Sequence, residues 1–263
     1  MTQPQNLDTL SQHLEKVKAG TRSFENAFQS VSRMILEKGY EKVEVNGKTQ
    51  YDFKLFRQGE KHLIGMYDEI NSFVSYVKDA AEGGSSKEMA FVLVGEPGNG
   101  KTFFVDFLCE KYREFLKEER NAKYTFEFAG LDKIGTYGRI ANIESQTYED
   151  PMILAMNLFP ANGDNREYLA SNFGFSDDEL ETLYDNYRPL GACSGYIWND
   201  IRAHADGDID TMLDFVEVVP VPLVESLGTI TGKYPAKDKI TSSSVDLLGE
   251  ESIQRLLHIT DTN

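Results

Sequence analysis

Gly95-Glu96-Pro97-Gly98-Asn99-Gly100-Lys101-Thr102 is the stretch on which the fold turns. It fits a glycine, four residues, then Gly-Lys-Thr, which is the pattern of a phosphate-binding loop. Such a loop wraps anionic phosphates with backbone N–H groups, and side chains would block that approach. Gly95 makes the exit from a preceding strand. Gly98 and Gly100 let the amides turn inward, Pro97 stiffens the loop, and Glu96 and Asn99 complete its backbone. Lys101 supplies a point charge to β- and γ-phosphates. The Thr102 hydroxyl is placed to ligate Mg²⁺, and the helix that starts here adds the positive end of its dipole. The expected cofactors are ATP and Mg²⁺.

The flanks meet the condition that this pattern needs, a strand before and a helix after. Met89-Ala90-Phe91-Val92-Leu93-Val94 is continuously apolar, as in a strand buried on both faces of a parallel sheet. Thr102 to Arg120 reads as a helix. Its first turns (Phe103, Phe104, Val105, Phe107, Leu108) are apolar nearly all round and are expected to be buried, and Asn121 is its stop. Tyr124 to Phe128 alternates aromatic and polar residues and suits a second strand. Upstream, Ile70, Phe73, Val74, Val77 and Ala81 form a stripe on a helix from Met66 to Glu82, which Gly83-Gly84-Ser85-Ser86 ends.

Further out, Leu7 to Lys38 reads as one helix with Phe24, Phe28, Val31 and Ile35 on a face, and Asn46-Gly47 marks a hairpin turn. Pro151 behind Asp150 suits a first helical turn, Ser176 with Glu179 is a capping signature, and Tyr196 to Ala205 is helical. Pro220 and Pro222 make Val216 to Val224 an edge strand or extended segment. A polar break at Thr241-Ser242-Ser243-Ser244 precedes a last helix from Gly249 to Leu257.

Hydrophobic residues make up 40% of the 263, enough for a core. The 43 acidic against 27 basic side chains leave a formal charge of −16, which disfavours bare nucleic acid and anionic membrane as partners. The first residues carry neither a basic nor an apolar signal region, and no apolar run is long enough to span a bilayer. Cys109 and Cys193 make no metal spacing and no disulfide framework, so a cytoplasmic location is expected.

Other signals carry less. Asp206-Gly207-Asp208-Ile209-Asp210 mimics a calcium loop, but Thr211 stands where the sharp turn needs glycine, so Asp208 is expected to cap a short helix instead. His13, His62, His204 and His258 have no partner at metal spacing and are expected to be satisfied or solvated. Ser194 and Ser226 lie in no nucleophile elbow, Cys109 is core, and Trp198 lacks basic companions for base stacking. After Thr102, neither Leu213-Asp214 nor Val245-Asp246 has an apolar strand before it and Glu directly after it, so no water-activating carboxylate is placed.

Five segments carry a resemblance. They are LIGMYDEINSFVSYVKDAAEG (63–83), GEPGNGKTFFVDFLCEKYREFL (95–116), ANIESQTYEDPMILAMNLFP (141–160), YRPLGACSGYIWNDI (187–201) and EVVPVPLVESLGTITGKYPAKDKITSSSVDLLGEESIQRLLHITDTN (217–263). Through them the chain resembles the N-terminal AAA region of the PrkA-type serine protein kinase family. The resemblance implies an α/β fold of the P-loop NTPase, AAA type, a three-layer α/β/α sheet. The expected fold is truncated, with an N-terminal helical segment and a large mixed insertion. It divides the chain into a lead segment (1–60), a nucleotide-binding core (61–138) and an insertion that begins the remaining core (139–263). It also places Ile64 and Gly65 beside the adenine. A regulatory or motor role follows, with a protein substrate or regulatory partner and a homo-oligomer by analogy. In the family the sequence continues into the acidic strand, the sensors and a kinase-like region, so a fragment is expected here. Two other functions stay open: direct phosphoryl transfer from bound ATP to a protein serine, and nucleotide sensing without hydrolysis.

Overall fold

The computed structural model describes residues 7–96, 98–159 and 165–224. The chain divides into two units, Met1–Pro222 and Leu223–Asn263, and almost everything described belongs to the first. The polar break at Thr241–Ser244 and the helix expected from Gly249 to Leu257 lie outside the described residues.

In chain order the elements are β1 (Asp8–Thr9), α1 (Leu10–Lys18), α2 (Ala27–Glu37), β2 (Tyr40–Val45), β3 (Lys48–Phe53), α3 (Tyr67–Ala81), α4 (Lys101–Phe115), β4 (Tyr124–Phe128), β5 (Ile143–Glu144), α5 (Pro151–Ala155), α6 (Asn165–Phe173), α7 (Asp177–Tyr184), α8 (Ala192–His204), α9 (Ile209–Leu213) and β6 (Val216–Pro220). The class is mixed α/β. The single helix expected over Leu7 to Lys38 is two helices, each opened by its own capping box. Thr9 and Gln12 bond reciprocally at α1, and Asn26 and Gln29 do so at α2. A box satisfies orphan N–H groups only where a helix begins, so the second one forces a break.

Four strands form an antiparallel sheet in the order β1-β6-β4-β5. β6 is therefore interior, not an edge. Its prolines do no harm there: Pro220 is its last residue, opposite Tyr124, and Pro222 lies beyond the ladder. β1 comes from the lead segment and pairs with β6, so the stretches 1–60 and 139–263 are interleaved in one sheet. The hairpin β2–β3 stands apart and turns at Asn46-Gly47, both at positive φ (52° and 73°), as its sequence predicts.

Phe126 and Phe128 of β4 and Val216 and Val218 of β6 point into one core with Leu10, Leu14, all of α5, and Trp198 and Ile201 of α8. The rings of Phe128 and Trp198 stack at 6.3 Å, and the Trp198 indole donates to Leu158 O at 3.3 Å. A second buried group joins α2, α3 and α4, where Phe56 stacks on Phe104 and Phe107 at 6.0 and 5.9 Å.

Met89 to Val94 is the main departure. It is assigned to no strand and belongs to neither sheet. Phe91 packs on Phe73 and Tyr76 of α3, while Val92 and Val94 are 70% and 90% exposed. The second strand, Tyr124 to Phe128, is β4, and it pairs with β5 and β6. The early turns of α4 are likewise not buried all round: Phe104 and Phe107 are inside, Phe103 and Val105 outside.

His13 departs from the expected satisfied or solvated state. It is buried, its Nε2 finds no hydrogen bond, and its Nδ1 lies 2.9 Å from Arg22 Nη1. Arginine can only donate, so Nδ1 accepts and the neutral ring carries its proton on Nε2, 4.0 Å from Asp150 Oδ1. Desolvation, reinforced by the Arg22 charge, pushes the imidazole down to about 3. Between that value and the ordinary 6.5, an unfolded histidine binds a proton that the folded one refuses, so this contribution to stability falls as pH falls. Desolvation pushes the Asp150 carboxyl up to about 6, which works in the opposite sense as pH rises through that value. Urea melts of the protein and of its His13→Gln variant isolate the histidine: from pH 7 to pH 5 the wild type should lose about 2 kcal/mol relative to the variant.

Candidate phosphate-binding site

α4 begins at Lys101, directly behind Gly100, which caps it at φ +76° without any side-chain hydrogen bond to the helix. Gly98 stands at φ +90°. These left-handed conformations are why glycine is needed at both positions. The first intrahelical bond runs from Phe104 N to Gly100 O at 2.8 Å. Among the described residues, the N–H groups of Lys101, Thr102 and Phe103 have no acceptor, as expected of the first turn of a helix without a cap.

Lys101 bends back over its own loop. Its Nζ donates to Gly95 O and to Glu96 O, both at 2.7 Å. The ammonium thus lies against the first two carbonyls of the loop. A Cβ on Gly95 would sit 3.6 Å from both Lys101 Nζ and Asn99 Nδ2. Gly95, Glu96, Gly98, Asn99 and Thr102 are exposed, so the loop faces solvent. Pro97 lies outside the described residues.

Ile64 and Gly65 reach the same place through Met66. Met66 holds φ +54° at the start of α3, and its Sδ lies 3.9 Å from the position of a Cβ on Gly100. Ile64, two residues back, is 84% exposed. Met66 thus connects the segment that carries Ile64 and Gly65 to the neighbourhood of Gly100. Met66 and the arginine behind it, Arg57, are absent from the sequence-based site. Nothing in their spacing marks them, since they act by contact across a turn.

The remaining candidates stay apart. Asp208 caps α9, accepting from Thr211 N at 3.0 Å and Thr211 Oγ1 at 2.6 Å, and no metal-holding acidic or histidine cluster occurs among the described residues. Ser194 is buried and donates to the buried carboxylate of Glu149, which also accepts from Ser145 Oγ and Gly191 N. Cys109 is half-buried and Cys193 exposed, both free. A concave region of about 370 Å³ between Lys38, Leu55, Lys111 and Phe115 includes no residue of the loop.

Compared with protein-family models, with curated proteins and with solved structures, the chain finds no match in any of the three.

The left-handed glycine behind α4 carries a test of this geometry. A Cβ on Gly100 would touch nothing closer than 3.9 Å, so Gly100→Ala acts through φ alone. It should lower stability by about 1–2 kcal/mol, read as a shift in the urea midpoint at unchanged slope.

Proposed function

We propose that the chain binds MgATP at Gly95–Thr102 and is the ATP-binding AAA module of a PrkA-type serine protein kinase, acting as its regulatory or motor part. The observation that carries this reading is the ammonium of Lys101 turned into a glycine loop at the uncapped start of a fifteen-residue helix. Three features of an anion site coincide there: a cation, unpaired amides and a helix dipole.

The residues present fit the phosphates. Amides of the loop and of the first turn of α4 would surround them, and Lys101 would exchange the carbonyls of Gly95 and Glu96 for phosphate oxygens. The exposed hydroxyl of Thr102 is the protein ligand for Mg²⁺ in this reading, with the rest of the shell from phosphate and water. The bound metal neutralises phosphate charge. Ile64 and Gly65 would line the base. The P-loop NTPase arrangement draws support from two helices, α3 and α4, that meet beside Met89–Val94 through Phe73, Phe91 and Phe104. No helix among the described residues is long and apolar enough to cross a membrane. The acidic surplus adds to this proposal that nucleic acid is not a partner, the two free cysteines that the location is cytoplasmic, and the resemblance that a protein substrate or regulatory partner is bound.

Titration calorimetry of the full chain tests the reading. Lys101→Ala should abolish MgATP binding, and unchanged affinity in that variant would sink it. With γ-labelled ATP, transfer of label to protein serine would move the reading to phosphoryl transfer, and tight binding without turnover to sensing.

A further inference from the structure

We infer that Arg57 is a positioning residue for nucleotide recognition, holding the backbone of Ile64 as the edge that reads the purine base. This rests on the ATP reading above and adds to it the part that grips the base.

One guanidinium engages four residues on two pieces of chain, β3 and the segment 63–67. Arg57 Nε donates to Asp52 Oδ1 at 2.5 Å, which ties it to β3. Its Nη1 donates to Leu63 O at 2.6 Å and to Gly65 O at 3.0 Å. Its plane lies over the ring of Tyr67, the first residue of α3, 4.5 Å from the centroid. Leu63 is further pinned by its N–H to Phe56 O at 2.8 Å and by a buried side chain. An arginine so engaged is rigid, because its planar fork fixes every donor at once.

The consequence falls on the one residue between the two clamped carbonyls. Ile64 makes no hydrogen bond among the described residues, and its side chain stands in solvent. The carbonyls on either side are consumed by Arg57, so among the described residues 63–66 Ile64 keeps both its N–H and its C=O unpaired. One donor and one acceptor on a single residue match the edge of a purine, which presents a ring nitrogen beside an exocyclic group. The exposed isoleucine offers an apolar surface to the ring face. Met66, whose Sδ lies 3.9 Å from where a Cβ on Gly100 would stand, is two residues from Ile64, within about 7 Å of chain. Met66 and Gly65 both hold positive φ (54° and 68°), so the direction of the segment is not one the chain would keep unaided.

Titration calorimetry of the full chain with MgATP and with magnesium tripolyphosphate separates the base from the phosphates. In Arg57→Gln, MgATP affinity should fall about tenfold, the loss expected of a misplaced pair of hydrogen bonds, while tripolyphosphate affinity stays within about twofold. Gly65→Val is the second variant. Its Cβ would meet nothing within 4 Å and acts only on the backbone direction, so the same selective loss is expected without touching Arg57. Parallel loss of both ligands in either folded variant, or unchanged MgATP affinity, overturns the inference. A wild-type chain that binds tripolyphosphate as well as MgATP also overturns it and leaves the loop reading standing. A wild-type chain that binds neither overturns the loop reading itself.

Discussion

The ladder between Tyr124–Phe128 and Val216–Pro220 is the constraint on which the described fold depends. It brings together parts of the chain separated by five α-helices, α5 to α9, and closing so long a loop costs entropy that only a packed core offsets. The core is there: Phe126, Phe128, Val216 and Val218 meet Trp198 and the wholly buried α5. A strand has two edges. Those of β4 go to β6 and β5, so nothing of β4 remains for Met89–Val94. The apolar stretch ahead of the loop then packs one face on α3 and leaves the other in water.

Much of this was legible beforehand where the signal is local. The hairpin at Asn46-Gly47, the proline start behind Asp150, the capping box at Ser176 and the cap at Asp208 all follow from short-range chemistry, and the structure has each of them. The capping boxes at Thr9 and Asn26 were equally readable, but the apolar spacing of Phe24, Phe28, Val31 and Ile35 masked the break between the helices. Pairing was not legible. Whether Val216–Val219 lies inside a sheet depends on which strand reaches it, and a two-residue β1 from the far end of the chain leaves almost no trace in sequence. The parallel sheet implied by the run Met89–Val94 failed for the same reason: hydrophobicity reports burial sought, not the partner that supplies it.

At the candidate site the division is similar. The glycines, Lys101 and Thr102 announce themselves because phosphate chemistry fixes their spacing. Arg57 does not, because its role comes from reaching two carbonyls across the turn that follows β3. The acidic chain keeps its one glycine-loop cation by giving it carbonyl oxygens, not carboxylates, as neighbours.

That choice of neighbours has a thermodynamic side. A lysine free in solvent gives up considerable rotamer freedom when it is fixed on an anion. Here Lys101 is already ordered by Gly95 O and Glu96 O, so the freedom is lost at folding and not at binding. What an incoming anion gains from the ammonium is the difference between two neutral acceptors and charged ones. In the proposed reading the contribution of this side chain to affinity comes from that exchange of acceptors, with less rotamer freedom left to lose on binding.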